Sequence, residues 1–394
     1  MVGKTKSILA TSLGLCSCAL QANDPQVVKL TPPRISSGTI LEKIVCTRPM
    51  REGKFNISLE QHSGKTIINC YGHGGAGWTT LFGSVNKAIG LFQKTNPDQT
   101  TPIRIIGSGC MGLTTAIELS RLGCNVAGIS TKSLYDIASW KAGGYFAIAS
   151  VKTSPEEQAE LSEISLNTFL TYKEIDHGNH PYITQETVRF MPVFCHMDMQ
   201  SGVEDLEARG LIPPREYVSL DFGHNVVHQG YVKYMTYFMN TTVLMRQFIS
   251  KVAQLGIKIE LEEIRSFDDI TEEIIFNCSG LGGGELTSDG SMIPVRGHLV
   301  TMNAAAGTAH MDYMICTKVK QNGKEEYIYM FPKNVFVTPQ APEGIPCFGV
   351  LGGTFIPHVD KLSPSDQEKL DEVEFKRLLD RNSEFFQGHS GTCS

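Results

Sequence analysis

Residues 103–131 leave the chain little choice of architecture. Ile103 to Ile106 is a short apolar run, bounded like a buried strand. Gly107-Ser108-Gly109-Cys110-Met111-Gly112 follows, and an apolar helical pattern runs from Met111 to Leu122. Asn125 to Ile129 reads as a second strand. A GxGxxG string alone is a weak signal. Between a strand and a helix it has the context a dinucleotide site requires. Glycine allows a tight turn, a close approach to a pyrophosphate, and close packing of helix on strand. The helix N-terminus then faces the negative charge. No Asp or Glu ends the second strand, where Gly128-Ile129-Ser130-Thr131-Lys132 stands instead. The ribose must be held by Ser130, Thr131 or another group. The motif alone therefore leaves a nicotinamide and a flavin dinucleotide both open.

This βαβ start appears only after the first hundred residues, so length matters. A chain of 394 residues suits two to three domains, or one large two-layered one. Its net charge of −6 argues against a basic nucleic-acid binder. A hydrophobic share of 41% with 19% charged residues excludes disorder, collagen and coiled coil as the main class. Glycine is abundant, 38 residues against a usual share of about 7%. The eleven cysteines are odd in number and form no CxxC pair, which reads as reduced, buried thiols. Lys4 and Lys6 precede an apolar stretch and the small residues Ala19 and Ala22. Residues 1–24 thus have the outline of a signal peptide, which would make the protein secreted or periplasmic. They read equally as a frayed terminus of a cytoplasmic chain. No later stretch has the roughly 18 apolar residues of a membrane span.

Residues 23–40, with Pro25, Pro32 and Pro33, read as an extended linker. Strands are expected at 54–60 and 65–71, and a helix from Trp78 to Phe92. Residues 93–102 form a polar loop. Further expectations are a helix over 154–172, a long helix over 230–255, and strands over 257–264 and 274–278. Beyond them come β-like segments at 294–302, 327–331, 335–339 and 348–351, and a charged helix over 365–380.

Three other segments carry chemical promise. Tyr71-Gly72-His73-Gly74-Gly75-Ala76-Gly77-Trp78-Thr79 sets four glycines before a helix, so backbone amides can face an anion or an aromatic ring. Ser139 to Phe146 holds Ala142, Gly143 and Gly144. Cys46-Thr47-Arg48-Pro49-Met50-Arg51 offers arginines, which suit bidentate capture of a carboxylate. On spacing alone, Arg48 reads first as a surface ion pair.

Together with the fingerprint, these segments resemble the D-amino-acid oxidase family. Ile264-Arg265-Ser266-Phe267, Ile275 to Leu286, Pro294 to Leu299 and Tyr327 to Pro332 match further family segments in family order. The resemblance covers about residues 40–380. The order departs: the elements matching Arg48 to Arg51 and Gly72 to Thr79 close the family's chain, whereas here they come first. The chain therefore reads as a circular permutant, with residues 93–102 as the joining linker.

The resemblance implies an α/β (α+β) fold with two domains. One is a Rossmann-like FAD-binding domain over 40–95, 103–150 and 255–295. The other is a substrate domain over 151–254 and 296–385, with connecting helices and a mostly antiparallel sheet. It implies FAD as cofactor, with Gly107, Ser108, Gly109, Met111 and Gly112 at the pyrophosphate and Thr131 at the ribose. Ser139, Ala142, Gly143 and Gly144 would lie along the isoalloxazine, and Ile264 and Ser279 beside the adenosine. Gly74, Gly75, Ala76, Gly77 and Thr79 would face the flavin O2 edge. Arg48 would grip the substrate carboxylate, Tyr329 would donate a hydrogen bond, and Gly74 would offer its carbonyl to the amine. Hydride would leave Cα for flavin N5, giving a 2-oxo acid, ammonia and, with oxygen, hydrogen peroxide. The expected partners are a D-amino acid and molecular oxygen, with no nucleic acid and no membrane span; a homodimer stays open. Alternatives are an oxidase of glycine, N-methyl amino acids or D-aspartate, a silent flavin-binding protein, or an NADP dehydrogenase. His177 with His180, Cys195-His196-Met197-Asp198, and His224 with His228 lack a full metal-ligand spacing and read as loop or surface residues. Lys318, Lys320 and Lys324 read first as a solvated turn.

Overall fold

A computed structural model describes residues 25–148, 154–303, 311–321, 323–333 and 349–388. The expected signal segment and the strand at 335–339 lie outside the described residues. The chain opens with β1 (Gln26–Lys29) and β2 (Ile40–Arg51). A hairpin of β3 (Asn56–His62) and β4 (Lys65–Tyr71) turns at Ser63 and Gly64, both with positive φ. Helix α1 (Gly77–Gln93) follows, burying Leu81, Val85, Ile89 and Phe92 at the expected spacing. β5 (Ile103–Ile106), α2 (Cys110–Arg121) and β6 (Val126–Thr131) form the βαβ unit. After the short α3 (Ala138–Lys141) comes α4 (Pro155–Asp176). Its Ser154 and Glu157 make a capping box, with Pro at the first turn.

β7 (Val188–His196), α5 (Glu204–Ala208), β8 (Glu216–Asp221) and β9 (Val227–Met239) lead into α6 (Thr241–Gln254). β10 (Ile259–Leu261), β11 (Ile274–Asn277) and α7 (Leu281–Thr287) return to the dinucleotide half. β12 (Met292–Met302), β13 (Met314–Gln321), β14 (Lys324–Phe331), β15 (Gly349–Gly352), β16 (Ile356–Pro357) and α8 (Pro364–Gln387) finish the fold.

The smaller sheet runs β10-β6-β5-β11-β4-β3, and only the outermost strand, β3, is antiparallel to its neighbour. Thus the early strand β4 docks beside the late strand β11. The larger sheet runs β1-β8-β9-β7-β13-β14-β15-β12-β16, with β2 also paired to β12. It is mostly antiparallel; the β1–β8 and β13–β7 pairs are parallel. One apolar cluster extends from Leu113 and Phe276 under the small sheet to Val193 and Tyr237 under the large one. The two sheets therefore share a core. A second cluster packs Leu378, Leu379, Phe385 and Phe386 of α8 against Ile315, Ile328 and Leu351.

Three expectations change. Residues 26–29 are not linker but a strand, paired in register with Val218 to Asp221. The stretch 230–255 is not one helix. Tyr231, Val232, Tyr234, Thr236, Tyr237 and Phe238 are aromatic or β-branched, which favours a pleated strand, and β9 pairs them with β7; the helix starts only after Asn240. Arg48, which falls ahead of the strand expected at 54–60, lies within a strand of its own, β2, so its register is set by β12.

Candidate functional site

At the first turn, glycine is demanded by the backbone itself. Gly107 has φ +99°, and a Cβ there would stand 2.6 Å from the Cys278 carbonyl oxygen. A Cβ on Gly112 would come within 1.9 Å of the Gly107 carbonyl oxygen. The helix and both strands are therefore in direct backbone contact. Helix α2 starts at Gly109 with no side-chain cap and no acidic residue in its first turn. Its positive end is left for an anion. The Cys110 N–H donates to Ser139 Oγ at 3.0 Å. Ser108 and Thr131 hydroxyls meet at 2.9 Å, and both also reach the Ser133 carbonyl.

Helix α1 presents a second bare N-terminus, again without side-chain cap or early acid. Gly72 and Gly74 reach it through positive φ angles of +83° and +55°. The Gly74 N–H donates to the Pro49 carbonyl at 2.8 Å, which ties this turn to the end of β2 one residue past Arg48. His73 is buried against Phe55, with its Nε2 3.2 Å from Ser84 Oγ. Burial pushes its pKa down to about 3, so the ring is neutral. The two helix ends converge on Ser139: its carbonyl accepts from the Trp78 indole at 3.2 Å while its hydroxyl accepts from the Cys110 N–H. The Thr79 hydroxyl, 3.3 Å from the Ala147 carbonyl, is committed to backbone.

The segment after Ser139 is similarly tight. The Ala142 carbonyl accepts from Thr241 Oγ1 at 2.9 Å and from Lys333 Nζ. A Cβ on Gly143 would lie 2.6 Å from the Phe331 ring. Gly144 has φ +81° and lies against the Met239 carbonyl. Ser279 backs the first turn, its Cα 2.9 Å from where a Gly107 Cβ would be, and its hydroxyl donates to Asn277 Oδ1. Ile264 packs on the cluster of Ile67, Ile106 and Ile275.

Sequence reasoning missed one residue here. β6 ends without a carboxylate, but β10 pairs with it and carries Glu262 to its tip. The Glu262 N–H donates to the Thr131 carbonyl at 3.0 Å, and its carboxylate accepts from the Ser130 hydroxyl. A short strand followed by paired acids was the only available signal, because sequence spacing says nothing about the parallel register.

The second half of the site lies on the large sheet. Arg48 pairs with Val295 across β2 and β12. A Cβ on Gly297 would stand 2.8 Å from the guanidinium, so glycine opens the space the side chain occupies. Arg48 Nη1 donates to the Thr354 carbonyl at 3.1 Å. The Tyr329 ring covers Gly352, its cross-strand partner, where no Cβ would fit. Burial raises the Tyr329 pKa, opposed by the neighbouring Arg48 charge, so the phenol keeps its proton. Tyr329 stacks on Phe331 at 4.7 Å, and Phe331 on Tyr145 at 5.2 Å. Tyr327, by contrast, is 46% exposed, with Lys318 over its ring. Lys318 itself pairs with Glu325. The other arginine, Arg51, is held by Asp289 at 2.7 Å.

Two bare helix ends over glycine floors suit an anionic dinucleotide with a flat ring, so the residues present fit FAD. A guanidinium beside a neutral phenol suits a carboxylate. Among the described residues, no group of three or more His, Cys, Asp or Glu side chains could hold a metal. The seven described cysteines are all free, and burial raises the thiol pKa of Cys46, Cys110, Cys195 and Cys316. No helix among the described residues is long and apolar enough to cross a membrane.

The chain is similar to several known proteins. A D-amino acid oxidase of Dugesia ryukyuensis is 34% identical over 65 residues, 16% of this chain and 20% of that protein. A D-amino-acid oxidase of Schizosaccharomyces pombe is 24% identical over 256 residues, 61% of this chain and 68% of that one. Among solved structures, iminodiacetate oxidase from Chelativorans sp. BNC1 superposes with TM-score 0.45 at 12% identity, covering 71% of this chain and 79% of that one. Fructosyl amine: oxygen oxidoreductase (Amadoriase I) from Aspergillus fumigatus gives 0.42 at 12% identity, covering 65% and 63%. The family described as DAO, FAD dependent oxidoreductase, matches residues 103–392, from the first strand of the glycine turn onward. That match spans most of the chain, and this protein belongs to the DAO family of FAD dependent oxidoreductases, a flavoprotein with FAD as its cofactor.

Proposed function

We propose that this flavoprotein oxidises D-amino acids to 2-oxo acids and ammonia. One observation carries the reading: the Arg48 guanidinium and the Tyr329 phenol share one corner of the large sheet, next to the turn of Gly74. Arg48 binds the carboxylate of the substrate, and the neutral Tyr329 hydroxyl donates to it. The Gly74 carbonyl receives the amine. Held at these points, a D-amino acid has its Cα hydrogen aimed at the ring plane, so positioning supplies most of the catalysis. FAD, when bound, would supply the hydride acceptor and the route by which oxygen becomes hydrogen peroxide.

The chain's own residues prepare the cofactor site. The amides of Gly107, Ser108, Gly109, Met111 and Gly112 hold the pyrophosphate, and Thr131 and Glu262 take the ribose side. Ser279 and Ile264 border the adenosine. Ser139, Ala142, Gly143 and Gly144 bed the ring system. The N-terminus of α1, from Gly75 through Ala76 and Gly77 to Thr79, favours negative charge at the O2 edge. The stacked rings of Tyr329, Phe331 and Tyr145 put aromatic surface rather than a second cation beside Arg48, which suits an apolar substrate side chain over an acidic one. The order of elements reads as a circular permutation, since residues 56–93 add β3, β4 and α1 beside β11, ahead of the family match.

Anaerobic titration of the FAD-loaded protein with a panel of D-amino acids tests the reading. Bleaching of the flavin band by apolar D-amino acids is expected. Reduction by sarcosine or glycine alone would shift the assignment to the N-methyl or glycine branch, and D-aspartate alone to the acidic branch. A yellow protein reduced by none of them would be a silent flavin binder.

A further inference from the structure

Arg48 has a long, flexible stem, and a carboxylate clamp works only if its fork is held still. Its strand fixes the Cα, but the fork itself meets the carbonyl of Thr354. Thr354 lies just past β15, in a stretch without regular structure, so something else must hold it. Its hydroxyl accepts from the His298 N–H at 2.6 Å and lies 2.9 Å from His298 Nδ1. The other ring nitrogen, Nε2, lies 2.8 Å from Asp371 Oδ1 on α8. Asp371 is clamped in turn by Arg296 through both oxygens, at 2.7 and 2.5 Å.

We propose that Asp371, His298 and Thr354 form a positioning relay that aims Arg48 at the substrate carboxylate; this rests on the role given to Arg48 above. Every atom in the relay has one assignable job. A carboxylate facing Nε2 puts the ring proton there. Burial lowers the His298 pKa and favours the neutral ring, so Nδ1 is an acceptor and the Thr354 hydroxyl donates to it. The same hydroxyl then accepts the His298 N–H with its lone pair. The Thr354 backbone is thereby locked with its carbonyl toward Nη1, which fixes the plane of the Arg48 fork. The His298 side chain is 0% exposed and meets Phe375 edge-on at 4.9 Å. A polar ring is costly in such a place unless its partners are complete. The relay thus ties the C-terminal helix to the substrate end of β2.

The test compares Thr354→Val, Thr354→Ser and Asp371→Asn in the FAD-loaded protein. Substrates are the D-amino acid that reduces wild type fastest and its amide, which has no carboxylate. Thr354→Val should raise KM for the acid about tenfold, as for the loss of one charge-assisted contact, with kcat little changed. Its KM for the amide should match wild type. Thr354→Ser should restore the acid KM, and Asp371→Asn should raise it. An equal change for acid and amide, or no change for either, overturns the relay. If Thr354→Val does not fold, the acid-to-amide ratio of Asp371→Asn decides alone. A wild-type protein that treats acid and amide alike fails at Arg48 itself, which overturns the function reading and the relay with it. Normal wild-type discrimination with unaltered variants overturns only the relay.

Discussion

The two halves of the site are built from opposite materials. Around Gly107, Gly112 and Gly144, backbone lies against backbone, and a single Cβ would stand 1.9–2.6 Å from a carbonyl oxygen. Around Arg48, the working atoms are side chains at the ends of long stems, braced by Thr354, His298 and Asp371. On the function proposed above, a dinucleotide would be held by amides that cannot move, and a small substrate by groups that must be aimed. The first half should therefore fail through folding and cofactor loss, and the second through substrate recognition alone.

The most global effect is expected at the backbone half, where packing and cofactor fail together. Gly112→Ala drives a methyl into the Gly107 carbonyl, and overpacking of this kind costs about 1–3 kcal/mol or more. Bound flavin, read from the visible spectrum after gel filtration, should be lost. Retention of full colour would break the contrast. Arg48→Leu comes next. Removing one partner of a charge pair costs about 2–5 kcal/mol, so kcat/KM for a D-amino acid should fall roughly 30- to 4,000-fold by the tenfold-per-1.4 kcal/mol rule. The colour should remain, and retained turnover would sink the carboxylate role.

Glu262→Gln probes the tip of β6. Losing a charged hydrogen-bond acceptor, worth about 1.5–3 kcal/mol, should weaken FAD binding tenfold or more in a fluorescence titration. Unchanged affinity would return the ribose to Thr131. The last effect is felt only in acid and concerns His73, whose pKa falls from 6.5 to about 3 in the fold. The unfolded chain binds this proton more readily, so stability is full above pH 6.5 and is lost as pH drops toward 3. The slope from this one group is about 1.4 kcal/mol per pH unit. His73→Gln should flatten the acid limb of a urea-denaturation series by that amount; an unchanged slope would show that the ring is not held neutral.

Much of the fold was legible because its signals are local. The strand, turn and helix from Ile103 to Arg121 lie where the apolar pattern and glycines put them, and so do β4, α1 and α4. The misreadings are of one kind. Residues 230–239 carry apolar side chains dense enough to pass for a helix, and only pairing with β7 shows the pleat. Residues 26–29 looked like linker because an edge strand is defined by its partner, β8, far along the chain. Of the residues given roles in the proposed function, Arg48, Gly74 and Tyr329 could be named from their segments. Glu262, Thr354, His298 and Asp371 could not, since each acts through the register of a neighbouring strand or helix.

By itself, the sequence determined where the backbone must turn without side chains, ahead of α1 and of α2. Glycine's freedom is a property of the residue, so it can be read in place. The tertiary structure alone decided that β2 would lie on β12 and put Arg48 over Gly297. It alone carried Glu262 to a strand end that lacked an acid, and set a buried histidine between α8 and Thr354. Those contacts join residues whose separation in sequence carries no distance information. Only strand pairing and a shared core bring them within hydrogen-bond reach.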